Sequence, residues 1–377
     1  MADKDKKVYK RLQLLCIFGT MASGTWSTLT VSYLDKLNFT YALFQVAFMF
    51  IGEFLCYFIV YGKKICIRND DFKSTRRYSI QPPNKLQRFG KKIFIFTAFC
   101  DFIDSFLQAT SYNYLSTAAI MGFKMLLIFF IFLFRKFVMK RNTYRHQILG
   151  LIIILIGMLM IGVIVFYTSS ESKVWGDNET IGFFFMFISQ IFHTLDVISI
   201  EYFMWNIEIE PEEVVGIKGL TGIIICLVSY VPLHYLLDPN DPKNSLEAPF
   251  KDIDRRSEIA YFLVMFTISI SIFNFFMVKT IKINDSLSFC TLDSGRMIIV
   301  WALSLAIFTT AGFNPFEPLA AFILAVGLLI YNEVLVIPLF GFDRSVKKNI
   351  KDNQTYKDLR FRSRSWQLML DTLTTMK

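Results

Sequence analysis

The sequence is short of charged residues, and none of its cysteines is placed for a disulfide. Asp, Glu, Lys and Arg together supply 19% of the 377 residues, whereas a soluble chain carries about 25%. This shortage excludes a disordered chain and argues against soluble domains. None of the six cysteines falls in a segment expected outside the cytosol, so neither a disulfide framework nor a metal cluster is expected.

The chain also lacks motifs that mark several classes of enzyme and pump. It contains no H-E-x-x-H, no G-x-S-x-G and no Walker P-loop. These motifs carry zinc proteolysis, serine hydrolysis and nucleotide binding, respectively. We therefore expect neither an enzyme nor an ATP-driven pump, and we expect no cofactor and no metal site.

Apolar residues, in contrast, are abundant and occur in long runs. They make up 54% of the sequence, and Phe alone contributes 41 residues. A helix needs about 20 apolar residues to cross a hydrocarbon core of roughly 30 Å, and backbone exposed to lipid must be helical. The sequence predicts an all-α membrane protein with ten transmembrane helices. The predicted spans are residues 12–33, 41–61, 92–112, 115–137, 147–167, 181–204, 213–236, 258–278, 286–310 and 316–338.

The positions of Lys and Arg predict how these spans are oriented. With residues 1–11 in the cytosol, 31 of the 40 basic residues fall in cytosolic segments and six in the opposite loops. Because basic loops stay in the cytosol during insertion, both termini are predicted to be cytosolic. Insertion explains the net charge of +9, so no nucleic-acid partner is expected. The basic tail at 339–377 is either an amphipathic helix on the membrane or a loosely ordered segment.

Two pairs of similar segments recur in the same order in the two halves of the chain. Residues 115–124 resemble residues 287–296, and this match aligns Lys124 with Arg296. A second match, LIIILIGMLM against AFILAVGLLI, follows in each half. The two matches together indicate that the halves are repeats of one another.

Each repeat holds five predicted helices, an odd number, so the second repeat enters the membrane in the inverted orientation. The first repeat takes residues 12–167 and includes a basic cytosolic loop at 62–91, and the second takes residues 181–338. Many secondary transporters build alternating access from two inverted repeats. The organisation therefore predicts a transporter whose site lies between the repeats.

Several motifs carry a resemblance to a known family. They are SGTWSTL at 23–29, FQVAFMFIGEF at 44–54, CD at 100–101, GIKGLTG at 216–222 and LDSGRMIIVWALSLA at 292–306. With these motifs the chain resembles the drug/metabolite transporter superfamily with its EamA-type repeats, and within it the F branch of solute carrier family 35. The resemblance implies a transporter of an endomembrane such as the Golgi, lysosome or vacuole. The F-Y-N-N and G-A-L-N-K motifs of nucleotide-sugar carriers are absent, so a nucleotide sugar is not inferred as substrate.

Ionisable residues inside the predicted spans form the candidate site, because a charge in the bilayer core is costly and usually functional. Lys124 and Arg296 lie at equivalent depths in the two repeats. We predict that both face one central cavity, where they bind an anionic substrate. The acidic members of this predicted substrate-binding set are Asp293, Asp101 and Glu53.

A structural role for the same residues is the alternative. Arg296 would then pair with Asp293, and Lys124 with Asp101 or Asp104, as links between helices. The two roles are compatible if the cations hold the carboxylates when the site is empty and release them to the substrate. A carrier of this kind would favour exchange over uniport.

Further polar residues lie in spans 6 and 7. His193 and Asp196 are one turn apart and are a candidate proton relay, although a histidine bonded between helices is the alternative. Lys218 lies near the predicted cytosolic end of its span, where its side chain could reach the interface, and it is given no role.

The sequence thus predicts a secondary transporter that moves a small organic, anionic metabolite by alternating access. A channel and a non-transporting receptor or scaffold are the alternatives. The expected partners are a small-molecule substrate and the lipid bilayer, and a homodimer is left open. The substrate itself, the coupling ion and the organelle are not specified by the sequence.

Overall fold

The chain folds as a bundle of α-helices in a computed structural model. The residues that the structure describes are 2–67, 90–115, 120, 123–124, 126–137, 139, 145–171, 177–207, 209–236, 247–307, 316–331 and 335–336. The predicted basic tail at 339–377 and most of the basic loop at 62–91 lie outside these ranges.

Eleven α-helices and one 3-10 turn, at Gly90–Ile93, form this part of the chain, which contains no strand. In chain order the helices are α1 (Ala2–Lys36), α2 (Ala42–Ile67), α3 (Phe94–Ser111), α4 (Leu126–Phe137), α5 (Arg145–Glu171), α6 (Asp177–Asn206), α7 (Pro211–Leu236), α8 (Glu247–Arg255), α9 (Ser257–Ile283), α10 (Ser286–Ile307) and α11 (Phe316–Tyr331). The prediction of an all-helical fold is confirmed.

Long apolar helices with exposed apolar side chains make the chain a multi-pass membrane protein. Among the described residues, the helical segments long and apolar enough to cross a bilayer are Arg11–Lys36, Gly90–Ser111, Thr180–Asn206, Pro211–Tyr230 and Ser257–Ile283. Large apolar side chains on these helices, such as Phe18 and Leu227, are well exposed. Such a surface suits lipid, because lipid imposes no cost on exposed hydrocarbon.

Helix α8 lies in a segment that the sequence predicts as a loop between two spans. Its nine residues are too few and too polar to cross a membrane, so the apolar pattern gives no sign of it. The helix packs over the turn between α1 and α2. The Tyr41 hydroxyl donates to Asp252 at 2.7 Å, and just beyond α8 the Arg256 guanidinium donates to the Leu37 carbonyl at 2.8 Å.

The helices pack in a regular set of pairs. Helix α1 packs against α9 and α3 against α6, while α2 packs against α7 and α5 against α11. The two halves of the chain are equivalent in this packing. When α1 is exchanged with α6, α2 with α7, α3 with α9, α4 with α10 and α5 with α11, the same four packing pairs result. The closest pairs meet at glycine: a Cβ on Gly219 would overlap the backbone of α2 at Glu53 and Phe54, so only glycine permits this approach.

Candidate functional site

A polar cavity lies in the middle of the bundle. It holds about 940 Å³ of space between protein atoms, including the part open to solvent. Side chains from α1, α2, α3, α4, α6, α9 and α10 line it, together with Lys124. Its charged and strongly polar lining residues are Gln45, Asp101, Asp104, Gln108, Lys124, Gln190, His193, Asn274, Asp293 and Arg296.

The guanidinium of Arg296 is buried and held from several directions. It donates to Asp293, one turn earlier on α10, at 2.8 Å. Across the helix interface it donates to the Gly24 carbonyl at 2.7 Å and to the Thr28 hydroxyl at 2.6 Å on α1. It also lies 5.1 Å from the centre of the Phe273 ring. The pairing of Arg296 with Asp293 is the one that the sequence offered as a structural role.

Lys124 reaches the same cavity as Arg296, as the alignment of the repeats predicts. Within the described part of the chain, however, Lys124 forms no ion pair, and the pairing with Asp101 or Asp104 that the alternative structural role requires is not present. Both carboxylates are engaged by other cationic or polar groups. Lys124 is therefore a lysine that lines a polar cavity without a carboxylate partner among these residues.

Asp104 binds side chains of α6. His193 lies 2.5 Å from one of its carboxylate oxygens through Nδ1, and the Ser189 hydroxyl donates to the other at 2.5 Å. His193 thus joins α6 to α3, which is the interhelical histidine that the sequence offered as the alternative to a relay. The relay partner named from the sequence, Asp196, contacts a different residue.

Lys218 of α7 is fully buried between two acidic residues, contrary to its expected position at the membrane interface. Its ammonium lies 2.8 Å from Asp196 on α6 and 3.0 Å from Asp101 on α3. The sequence places Lys218 near the end of its span but does not show which face of the helix it occupies.

Glu53 lies behind the cavity wall and not on it. The carboxyl group is fully buried, and one of its oxygens accepts a hydrogen bond from the amide of Asn274. Asn274 itself lines the cavity. Glu53, predicted as a substrate-binding residue, is thus connected to the cavity through Asn274, which the sequence did not single out.

A second charged network lies at one end of the bundle. Arg135, at the end of α4, lies 3.0 Å from Asp285, the residue before α10, and 3.9 Å from Glu201 on α6. Asp285 also accepts from the backbone N–H of Ser288 at 2.7 Å, as an N-cap residue does. Burial raises the pKa of the Asp285 carboxyl, but Arg135 and Ser288 together hold it below its ordinary value.

Known proteins resemble this chain over most of its length, although no family model matches it. Solute carrier family 35 member F6 of Homo sapiens is 25% identical over 350 residues, which cover 88% of this chain and 92% of the relative. The protein of that name from Pongo abelii is 26% identical over 338 residues, 85% and 88% of the two chains. An uncharacterized protein of Schizosaccharomyces pombe is 22% identical over 329 residues, 85% and 97% of the two chains.

A solved crystal structure shares the fold. It aligns with a TM-score of 0.55 at 12% identity and covers 84% of this chain and 96% of the other. The relatives confirm the resemblance to the F branch of solute carrier family 35 that the sequence motifs carry.

Proposed function

We propose that this chain is a secondary transporter that moves a small organic solute across an endomembrane by alternating access. Its mammalian relatives are named as solute carriers. A transporter requires a polar cavity within an apolar bundle, and the chain has one. The exchange of the two helix sets, which leaves the packing pairs unchanged, supports two inverted repeats as the moving units.

The substrate carries an anionic group, and the cavity cations bind it. The observation that carries this proposal is that Lys124 and Arg296 line one cavity while Lys124 has no ion pair among the described residues. An ammonium desolvated in this way gains most from an anionic ligand. Arg296 is held by Asp293 and by two acceptors on α1, and a phosphate or carboxylate that displaces Asp293 can take its place on the planar guanidinium.

Exchange follows from the same contacts. A substrate anion competes with Asp293 for Arg296, so substrate loss restores the internal pair. The empty carrier is then stabilised in one state and reorients slowly, whereas the loaded carrier moves freely. The acidic cavity residues Asp101 and Asp104 favour a substrate that also has a cationic or hydrogen-bond-donating part.

In the orientation that we propose, the cavity opens toward the non-cytosolic side. With both termini in the cytosol, most of the lining residues belong to the outer halves of their predicted spans. The network of Arg135, Asp285 and Glu201 lies at the cytosolic ends. It would hold the cytosolic side closed while the cavity is open to the other side.

A binding screen followed by a flux assay tests this function. Purified protein is heated with AMP, glucose 6-phosphate, glutamate or lysine, because a bound ligand raises thermal stability. Each stabilising compound is then measured by counterflow into proteoliposomes. We expect saturable counterflow that Lys124→Ala and Arg296→Ala abolish, while Lys251→Ala, a change at an exposed surface pair, leaves it intact. Unsaturable flux would indicate a channel, and normal counterflow in both cavity variants would contradict the proposed site.

A further inference from the structure

One carboxyl group in the bundle is buried without a cation of its own. The side chain of Glu53 is 0% exposed. One oxygen accepts from the Asn274 amide, and the other has no hydrogen-bond partner within the described residues. An ionised carboxylate in this position would keep half of its acceptor capacity unsatisfied, which is strongly unfavourable away from water.

The groups around Glu53 give it no free counter-ion. It faces Asp101 from α3, Asp196 from α6 and Lys218 from α7, with the amide of Asn274 from α9 and the Cys56 thiol on α2 itself. Lys218 is the nearest cation, and it is already shared between Asp101 and Asp196. Three carboxyl groups and one ammonium therefore occupy one buried region.

A proton bound to one of the three acids reduces the net charge of this cluster from −2 to −1. If all three acids were ionised, the cluster would carry a net charge of −2, because one ammonium offsets only one carboxylate. The dense packing of α2 against α7 at Gly219 leaves little room for water to solvate that charge. A protonated Glu53 accepts from Asn274 through its carbonyl oxygen and holds the proton on the oxygen that lacks a partner.

We propose that Glu53 binds and releases the proton that couples transport to a pH gradient. This inference rests on the proposed function, since it names the coupling ion of the same carrier. In the release step the O–H bond of the Glu53 carboxyl breaks, the proton passes to water that enters from the cavity past Asn274, and the resulting carboxylate shares Lys218 with Asp101 and Asp196.

Asn274 provides the connection between the proton and the substrate. Its side chain lines the cavity and also donates to Glu53. A ligand that draws the Asn274 amide toward itself removes the one hydrogen bond that Glu53 accepts. Substrate binding and proton binding are thus linked through a single side chain, and linkage of this kind acts equally in both directions.

Infrared spectroscopy of the protein in nanodiscs tests the proton site without any substrate. We expect the carbonyl stretch of a protonated carboxyl group at neutral pH, its reversible loss as the pH is raised, and its absence in Glu53→Gln. The exposed Glu247→Gln serves as the matched control and should retain the band. Asn274→Leu keeps Glu53 and should shift the band without removing it, so the test does not depend on the folding of one variant.

A band that is missing from the wild type, that survives in Glu53→Gln, or that persists unchanged at every pH would overturn the proposal. The last result would identify Glu53 as a permanently neutral structural acid.

Flux then tests the coupling. Proteoliposomes are loaded with the pH indicator pyranine and exposed to AMP, glucose 6-phosphate, glutamate or lysine. We expect the transported compound to change the internal pH in the wild type and in Glu247→Gln, and Glu53→Gln to reduce the change to that of empty liposomes. Wild-type transport without a pH change overturns the coupling while leaving the proposed function intact. If none of the four compounds is transported, the proposed function fails for these substrates, and the infrared titration still decides the proton site.

Discussion

The ammonium of Lys218 lies 2.8 Å from the carboxylate of Asp196, and both side chains are almost completely buried. The pair joins α7 to α6, and Asp101 at 3.0 Å extends the contact to α3. A lysine at this depth is stable only because acidic groups compensate for its lost hydration. The pair therefore links three helices at the core of the bundle.

Removal of this lysine should destabilise the protein. Lys218→Met leaves Asp101 and Asp196 without their cation, and the loss of one partner from a buried ion pair costs about 3–5 kcal/mol. Thermal unfolding in detergent measures the effect, with Lys251→Met at the exposed pair as the control. The double variant Lys218→Met, Asp196→Asn should recover part of the loss, because it removes one uncompensated charge. Equal stability of the two lysine variants would contradict this account.

Arg296 and Lys124 should differ in their tolerance of conservative change. Arg296 contacts Asp293 through Nε and Nη2 and both Gly24 and Thr28 through Nη1, and a lysine cannot reproduce this planar arrangement. We expect Arg296→Lys to lower counterflow roughly 10- to 100-fold, as for the loss of one or two charge-assisted hydrogen bonds. Lys124→Arg keeps the charge that faces the cavity and should retain much of the activity. The opposite order of effects would assign the substrate contact to other residues.

The pair of Arg135 and Asp285 should make stability depend on pH at the acidic end. The folded protein holds the pKa of Asp285 below its ordinary value of 3.8, so the unfolded chain binds the proton more readily. The stabilisation is fully present above that ordinary value and is lost as the pH falls through the lowered one. Asp285→Asn should be less stable than the wild type at neutral pH, and the gap should close on acidification. Midpoints of thermal unfolding across this range measure it, with the exposed Asp254→Asn as the control.

The close approach of α2 and α7 predicts opposite effects at two glycines. A Cβ on Gly219 would overlap backbone atoms of α2, whereas a Cβ on Gly62 meets nothing within 4 Å. Gly219→Ala should destabilise by about 1–3 kcal/mol through overpacking. Gly62→Ala should stabilise by roughly 0.4–1 kcal/mol, because alanine lowers the entropy of the unfolded chain. Chemical or thermal unfolding of both variants measures the sign of each change in the free energy of unfolding. Equal effects of the two substitutions would contradict the close backbone contact at Gly219.

The sequence could predict the helices and the two cavity cations because both depend on signals along the chain. Apolar runs mark the spans, and the alignment of the two halves brings Lys124 and Arg296 to one cavity. The partners of the acids depend instead on the rotation of each helix about its axis. Thus His193 binds Asp104 and not Asp196, and Lys218 turns inward where its distance from the span end suggested an interfacial position.

Helix α8 escaped prediction for a related reason. Nine residues with five charges are too short and too polar to stand out as an apolar run, and the helix is held by hydrogen bonds that Asp252, and Arg256 just beyond the helix end, form with the α1–α2 turn. Such contacts join residues more than 200 positions apart. Local pattern gives no information on contacts of this range.

The packing pairs that survive the exchange of the two helix sets bear on how evolution could have tuned this protein. If the two helix sets are the moving repeats, a contact in one set has an equivalent position in the other, and a substitution at one of these positions would change the relative stability of the two openings. A change at one of two equivalent positions would then be enough to reverse the favoured direction of transport. Duplication followed by small divergence would likewise be enough to create a preferred direction.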